Sequence, residues 1–190
     1  MTEKQRVRAD GKLARKNMTP AERAAASRII AGHIAESEEF RNAKTVFLYK
    51  AVPDEVDLSY LLQMPEAEGK RFCYPRILGK GIMEVLQPEE SDGWCTGKFG
   101  ITEPDPDRAL HVGAEELDLI LCPCTAFDED GRRMGMGGGY YDRYLPGCVN
   151  AVIAAVAFEA QKAQSVPSDA YDVRMDIIFT EKSIYRTAKG

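Results

Sequence analysis

The chain has 190 residues, 44% of them hydrophobic and 29% charged, with a formal net charge of −5. That profile fits one globular domain with a substantial core, and the acidic balance argues against a general nucleic-acid or membrane-surface binder, which carries a basic excess. The amino terminus "MTEKQRVRADGKLARK" lacks the apolar stretch of a secretory signal, and no run approaches the roughly 20 apolar residues of a bilayer crossing, so the expected setting is the cytoplasm.

Residues 3–17 read as a charged helix with Val7 and Leu13 as its apolar points. "TPAE" (Thr19–Glu22) then reads as a capping box with proline in the first turn, opening a second helix that runs to about Ser37. Ile29, Ile30 and Ile34 are expected on its buried stripe. Strand patterns follow at 44–50, 70–77 and 83–87, with a helical pattern at 56–68 between the first two. Residues 88–116 are long and turn-rich, either an ordered functional loop or a mobile lid.

The runs "LDLILCPCTAF" (117–127) and "VNAVIAAVAF" (149–158) are apolar on both faces, as in the interior of a parallel sheet. A helix starting at "YYDRYL" separates them, helical "EAQKAQS" follows the second, and a strand at 174–181 closes the series. This alternation predicts an α/β fold in one domain, residues 1–190. Its mostly parallel central sheet carries helices on both faces, a Rossmann-like three-layer arrangement. The five cysteines form no disulfide framework; Cys122 and Cys124, one residue apart, lack a zinc spacing and read as strand packing.

The segment "GRRMGMGGGYYDRYL" (131–145) concentrates four glycines between a strand and a helix. In parallel α/β sheets ligands collect at the carboxyl ends of strands, where side-chain-free backbone can bring its N–H groups to an anion and a helix start adds partial positive charge. Arg132, Arg133 and Arg143 flank the loop and could fork onto phosphate oxygens. No Lys-Ser/Thr pair follows the glycines, so this is not a Walker loop. A glycine-rich hairpin or a tight helix entry is the alternative reading. Asp142 falls in the first helical turn, where it either serves the helix dipole or holds Mg2+. Asp172 and Asp176 bracket the last strand's start, as further ligands or turn formers.

Taken together these segments resemble the 5-formyltetrahydrofolate cyclo-ligase family, also called 5,10-methenyltetrahydrofolate synthetases. Lys4 and Arg8 match its amino-terminal Lys-x-x-x-Arg, "PDEVD" (53–57) its Glu-containing turn, and "FGITEP" (99–104) its mid-chain segment. The long signature Arg-x-Gly-x-Gly-x-Gly-Tyr-Tyr-Asp matches from Arg133 to Asp142, and "VPSDAYDVRMDIIFTE" (166–181) matches the closing pattern.

The resemblance implies an enzyme that uses ATP and Mg2+ to turn 5-formyltetrahydrofolate into 5,10-methenyltetrahydrofolate. It implies a monomer acting on a small-molecule folate, with no nucleic-acid or membrane partner. Carried over by position, Lys4, Arg8, Arg133, Met134, Gly135, Met136, Gly137, Gly138, Gly139, Tyr140 and Tyr141 would contact the nucleotide. Leu48, Glu55 and residues Met136 to Tyr140 would contact the folate, with Tyr49 and Trp94 as further candidates for the pterin pocket. Arg133, Tyr140 and Asp142 would act in catalysis, while Asp142 and Asp172 would hold Mg2+, with Asp176 in reserve. Some members carry basic residues where this chain has Met136 and Gly138, which leaves more of the phosphate contact to backbone amides, Arg133 and Arg143. A non-catalytic nucleotide- or folate-binding module on the same scaffold is the alternative, although it need not retain Lys4, Arg8, Asp142 and Asp172 together.

Overall fold

The computed structural model describes residues 1–89, 92–97 and 100–187. Helix α1 (Glu3–Asn17) begins at a reciprocal cap between Thr2 and Gln5, and α2 (Pro20–Glu36) at the expected box of Thr19 and Glu22. On α2 the buried stripe runs through Ala26, Ile30 and Ile34, with Ala31 and Ala35 beside it. Ile29 departs from expectation: it lies one helical step off that stripe and is 48% exposed. Leu13 of α1 also faces outward, because α1 buries Gly11 and Arg15 instead. A short α3 (Glu38–Asn42), capped by Ser37, sends Phe40 into the core.

The first strand, β1 (Thr45–Phe47), leads to α4 (Ser59–Leu62) and a single turn at Pro65–Ala67, where a longer helix over 56–68 was expected. Met64 is already extended ahead of Pro65, as the residue before a proline tends to be. β2 (Arg71–Gly79) and β3 (Ile82–Pro88) form an antiparallel hairpin. The turn-rich region then holds a small hairpin of β4 (Trp94–Thr96) and β5 (Thr102–Pro104), followed by β6 (Ala109–His111).

The central β7 (Leu119–Pro123) is followed by a second small hairpin, β8 (Ala126–Phe127) with β9 (Arg133–Met134), and then by α5 (Tyr140–Tyr144). β10 (Val152–Val156), β11 (Ile177–Phe179) and β12 (Ile184–Arg186) complete the chain. Between β10 and β11 the expected helix "EAQKAQS" is one turn, Glu159–Gln161. The segment bonds to a neighbour instead: the Ala163 backbone N–H donates to Phe127 O, and the Gln161 side-chain Nε2 donates to the carbonyls of Cys124 and Thr125.

Eight strands form the main sheet in the order β12-β11-β10-β7-β1-β2-β3-β6. The five from β11 to β2 are parallel, while β12 and the β2–β3–β6 margin add antiparallel pairs. Side chains alternate along each inner strand. Val46, Leu119, Leu121 and Phe179 join the core under α2, α3 and α4, whereas Phe47, Ile120, Cys122 and Ile178 meet α5 on the opposite face. Both faces are therefore apolar, which accounts for the unbroken hydrophobic runs in the sequence. Cys122 and Cys124 are buried and all five cysteines are free, consistent with a packing role.

Candidate active site

A cavity of about 470 Å3 opens at the carboxyl ends of β1 and β7, where ligands gather in such sheets. Chain leaving β1 contributes Tyr49, Lys50 and the turn carrying Glu55, and chain leaving β7 contributes Cys124 and Thr125. The β8–β9 hairpin then carries residues 133–142 across the opening, anchored where the Thr125 N–H donates to Met134 O at 2.6 Å. From the other side α1 lies on β8 and presents Lys4 and Arg8.

Glycine is required in this loop for local reasons. Gly137 and Gly139 adopt φ of 103° and 66°, which residues with a Cβ rarely hold. A Cβ at Gly138 would stand 2.5 Å from the Tyr140 ring. Arg8 Nε donates to Gly135 O at 2.9 Å, fixing the loop to α1. α5 has only five residues, so the expected dipole contribution from a helix start is small, and the loop amides and cations carry the positive potential.

Two carboxylates from distant parts of the chain face this loop. Asp142 Oδ1 accepts from Arg133 Nη2 at 2.9 Å and from the Val173 N–H at 3.4 Å. Asp172 Oδ2 accepts from Lys4 Nζ at 2.7 Å and from the Asp169 N–H at 2.7 Å. Lys4 also binds Asp169 at 2.7 Å. Burial alone would lower the Lys4 pKa, but the bonds to Asp169 and Asp172 outweigh it and the net shift is upward. Burial likewise pushes Asp172 up, and the Asp169 amide and Lys4 together hold it below the usual carboxylate range. Among the described residues no three His, Cys, Asp or Glu side chains converge as a metal cage. Two carboxylates suit Mg2+, which takes its remaining ligands from phosphate and water.

Arg133 is nearly enclosed, its side chain 3% exposed, and its guanidinium lies 5.5 Å from the Tyr141 ring centre. Arg133 Nε and Tyr141 Oη are both buried without a hydrogen-bond partner. Both residues line the cavity, so water or a bound ligand could satisfy these atoms. Tyr141 stacks on Phe47 with centroids 5.7 Å apart, so its ring is held while its hydroxyl stays uncommitted. Burial raises the Tyr141 hydroxyl well above its ordinary value and pushes the Cys124 thiol to about 12, so both are neutral wall groups.

Glu55 lines the cavity in a turn closed by its own Oε2, which accepts from the Val52 N–H at 3.2 Å. Arg15 of α1 approaches it from behind, with Nη1 3.6 Å from Glu55 Oε1 and Nη2 3.2 Å from Asp54 Oδ2. Arg15 is absent from the sequence expectations, although a signal exists. Lys4, Arg8, Gly11 and Arg15 follow at spacings of four, three and four, which is one helix face.

Lys4, Arg8, Glu55, residues 133–142 and Asp172 thus surround one cavity. Other expected residues lie elsewhere. Leu48 is a core residue, 1% exposed and packed behind the wall that Tyr49 forms. Trp94 stands behind Tyr74, edge-on at 4.7 Å between centroids, under the Lys50 ammonium. Arg132 turns away to pair with Asp128 and Asp130, and Arg143 braces the loop from outside by donating to Gly138 O at 2.9 Å. Arg143 does not line the cavity. Asp176 accepts from the Ile153 N–H at 2.9 Å, at the start of β10. Because β10 and β11 are parallel, that point lies at the end of the sheet away from the cavity. Within "FGITEP", Phe99 lies outside the described residues, while Ile101, Thr102 and Glu103 reach the cavity wall.

Comparisons with known proteins point to one family. The pattern of the 5-formyltetrahydrofolate cyclo-ligase family matches residues 1–181. A protein of Haemophilus influenzae named 5-formyltetrahydrofolate cyclo-ligase is 28% identical over 174 residues, covering 90% of this chain and 93% of its own. A protein of the same name from Mycolicibacterium smegmatis is 35% identical over 146 residues, covering 74% and 75%. The solved structure of Aquifex aeolicus 5,10-methenyltetrahydrofolate synthetase superposes with a TM-score of 0.86 at 32% identity, over 100% of this chain and 95% of that one. On the strength of a family match that spans both the amino-terminal cations and the closing aspartates, the chain belongs to the 5-formyltetrahydrofolate cyclo-ligase family.

Proposed function

We propose that this chain converts 5-formyltetrahydrofolate to 5,10-methenyltetrahydrofolate, consuming ATP with the help of Mg2+ and releasing ADP and phosphate. One observation carries the reading. Lys4, Arg8 and Arg133, the glycine loop, and the carboxylates of Asp142 and Asp172, from segments up to 168 residues apart in the chain, line one cavity together with Glu55.

The chemistry needs no side-chain nucleophile. The formyl oxygen attacks the terminal phosphorus of ATP, ADP leaves, and the carbon becomes an imidoyl phosphate. N10 then adds to that carbon and loses its proton, and the former formyl oxygen departs as part of phosphate. The protein's share is alignment and charge stabilisation of the transferring group. Lys4, Arg8 and Arg133 would face the phosphates with the loop amides. Asp142 and Asp172 would hold Mg2+, which neutralises charge developing on the phosphate oxygens. Tyr140 and Tyr141 would close the wall beside the reacting atoms, and the Glu55 carboxylate would accept the paired N–H donors of the pterin edge.

The same reading takes a monomer acting on small molecules in the cytoplasm; among the described residues no helix is long and apolar enough to cross a membrane. The test mixes purified protein with 5-formyltetrahydrofolate, ATP and Mg2+ and follows the methenyl chromophore. Colour should appear with all three present and fail when any one is omitted. Equal rates without ATP would overturn the reading.

A further inference from the structure

Arg15 is a costly residue to place where it is. It is 2% exposed, its Nε is buried without a partner, and it does not itself line the cavity. Burying a guanidinium carries a large desolvation penalty, and a surface turn alone would not require one, since an apolar side chain could fill the same space. What the guanidinium does reach is the Asp54–Glu55 pair, and of these Glu55 forms cavity wall. Gly11, one turn earlier on α1, allows the close approach to the Thr125 backbone that brings Arg15 under the turn.

We propose that Arg15 is a positioning residue for folate recognition: it holds the Glu55 carboxylate ionised and aimed into the cavity, where the pterin edge would meet it. The proposal rests on the reading of Glu55 given above. The groups that face Glu55 are Arg15 from α1, Asp54 in the same turn, Tyr49 beyond β1, Cys124 beyond β7 and Tyr141 on α5. Burial pushes the Glu55 carboxyl up, Asp54 adds to the rise, and the Val52 amide and Arg15 oppose it. Arg15 is the cation among these neighbours. Only the ionised carboxylate accepts from two N–H donors, so folate affinity is full above the pKa of folded Glu55 and falls as pH drops through it. Without Arg15 that fall moves to higher pH.

The experiment measures binding of 5-formyltetrahydrofolate and of ATP separately, from about pH 4, near the ordinary carboxyl value, up to about pH 9. It compares wild type, Arg15→Met, Arg15→Lys, Glu55→Gln and the Arg15→Met/Glu55→Gln double variant. Arg15→Met should weaken folate binding about tenfold or more near neutral pH, as loss of a charge-assisted contact does. Its ATP affinity should hold, and its folate affinity should climb back toward wild type as pH rises. In the Glu55→Gln background the same change should add no further loss, because the two residues act as one unit. Unchanged folate binding in Arg15→Met, or equal loss of folate and ATP without recovery at high pH, overturns the proposal by leaving Arg15 a structural role only. If Glu55→Gln binds folate as wild type does, the Glu55 reading itself fails, which is a distinct result. Should Arg15→Met not fold, Arg15→Lys decides. Lysine keeps the charge but lacks the planar guanidinium fork whose two Nη atoms reach Asp54 and Glu55 separately, so several-fold weaker folate binding with unchanged ATP binding supports the proposal, and wild-type folate binding overturns it.

Discussion

Replacing Gly11 with alanine probes how α1 carries its cations to the cavity. In an open helix this change stabilises by about 1 kcal/mol, because glycine is the poorer helix former. At Gly11 the added methyl would overlap the Thr125 carbonyl oxygen and stand 3.0 Å from its carbon and 3.2 Å from Ala126 Cβ. Carbon contacts become comfortable only from about 3.5 Å, and the obstacle is backbone, so α1 must withdraw by on the order of 1 Å. Overpacking of this kind typically costs about 1–3 kcal/mol, which outweighs the gain in helix propensity. The withdrawal also pulls on the bonds from Lys4 to Asp172 at 2.7 Å and from Arg8 to Gly135 at 2.9 Å. An added ångström takes both beyond the roughly 3.2 Å range of N–H···O bonds. Misplacement on that scale is worth up to about 100-fold in rate. Urea unfolding and steady-state turnover read the two effects, with Gly32→Ala on α2 as control, since a methyl there meets nothing within 4 Å. Gly11→Ala should be less stable and slower by up to about 100-fold, while Gly32→Ala should be about 1 kcal/mol more stable at unchanged turnover. A Gly11→Ala protein as stable and active as wild type would refute the reasoning.

Other substitutions separate the roles assigned to the carboxylates. Asp142→Asn should reduce Mg2+-dependent turnover at least about 100-fold, since phosphoryl transfer depends on the metal's charge; circular dichroism should show the fold intact, and near-normal turnover would remove Asp142 from the metal site. Asp176→Asn should leave the Mg2+ dependence of turnover unchanged, because that side chain caps β10 at the other end of the sheet; a raised Mg2+ requirement would contradict this. Glu55→Gln should weaken folate binding without weakening ATP binding, measured by titration calorimetry; equal loss of both would point to misfolding. The Lys4–Asp172 pair gives a pH signature. Asp172 is held below its usual value of 3.8 and Lys4 above its usual 10.5, so the pair stabilises between those values. Its contribution is lost as pH falls through the lowered Asp172 pKa, or rises through the raised Lys4 pKa. The stability gap between wild type and Asp172→Asn should therefore be flat near neutrality and close in strong acid. A gap that persists there would contradict the pairing.

The parts of the fold legible in the sequence are those written in local chemistry. The Thr19–Glu22 box and the start of α2 agree because a cap is a contact within four residues. β7 and β10 were readable because strands covered on both faces are apolar throughout, and β1, β2 and β3 because they are short β-branched or aromatic runs bounded by turn residues. β4, β5, β6 and β12 have three residues each and exist through pairing with partners, which no periodicity announces. The candidate site divides in the same way. The glycine loop was legible because positive φ demands glycine at Gly137 and Gly139. Asp172 could not be separated from Asp176 without knowing that β11 runs parallel to β10 and starts at the far end of the sheet. Arg132 and Arg133 look alike in the sequence, yet adjacent residues in a hairpin point opposite ways, so one meets Asp128 and the other Asp142. Leu48 and Tyr49 both belong to the same core, and only Tyr49 also reaches the cavity wall.

Following the formyl oxygen is the most direct test of phosphoryl transfer at this cavity. When 5-formyltetrahydrofolate carrying heavy oxygen in its formyl group turns over with unlabelled ATP and Mg2+, mass spectrometry of the released phosphate should find one heavy oxygen per molecule. Unlabelled phosphate, with the heavy oxygen recovered in water, would contradict it.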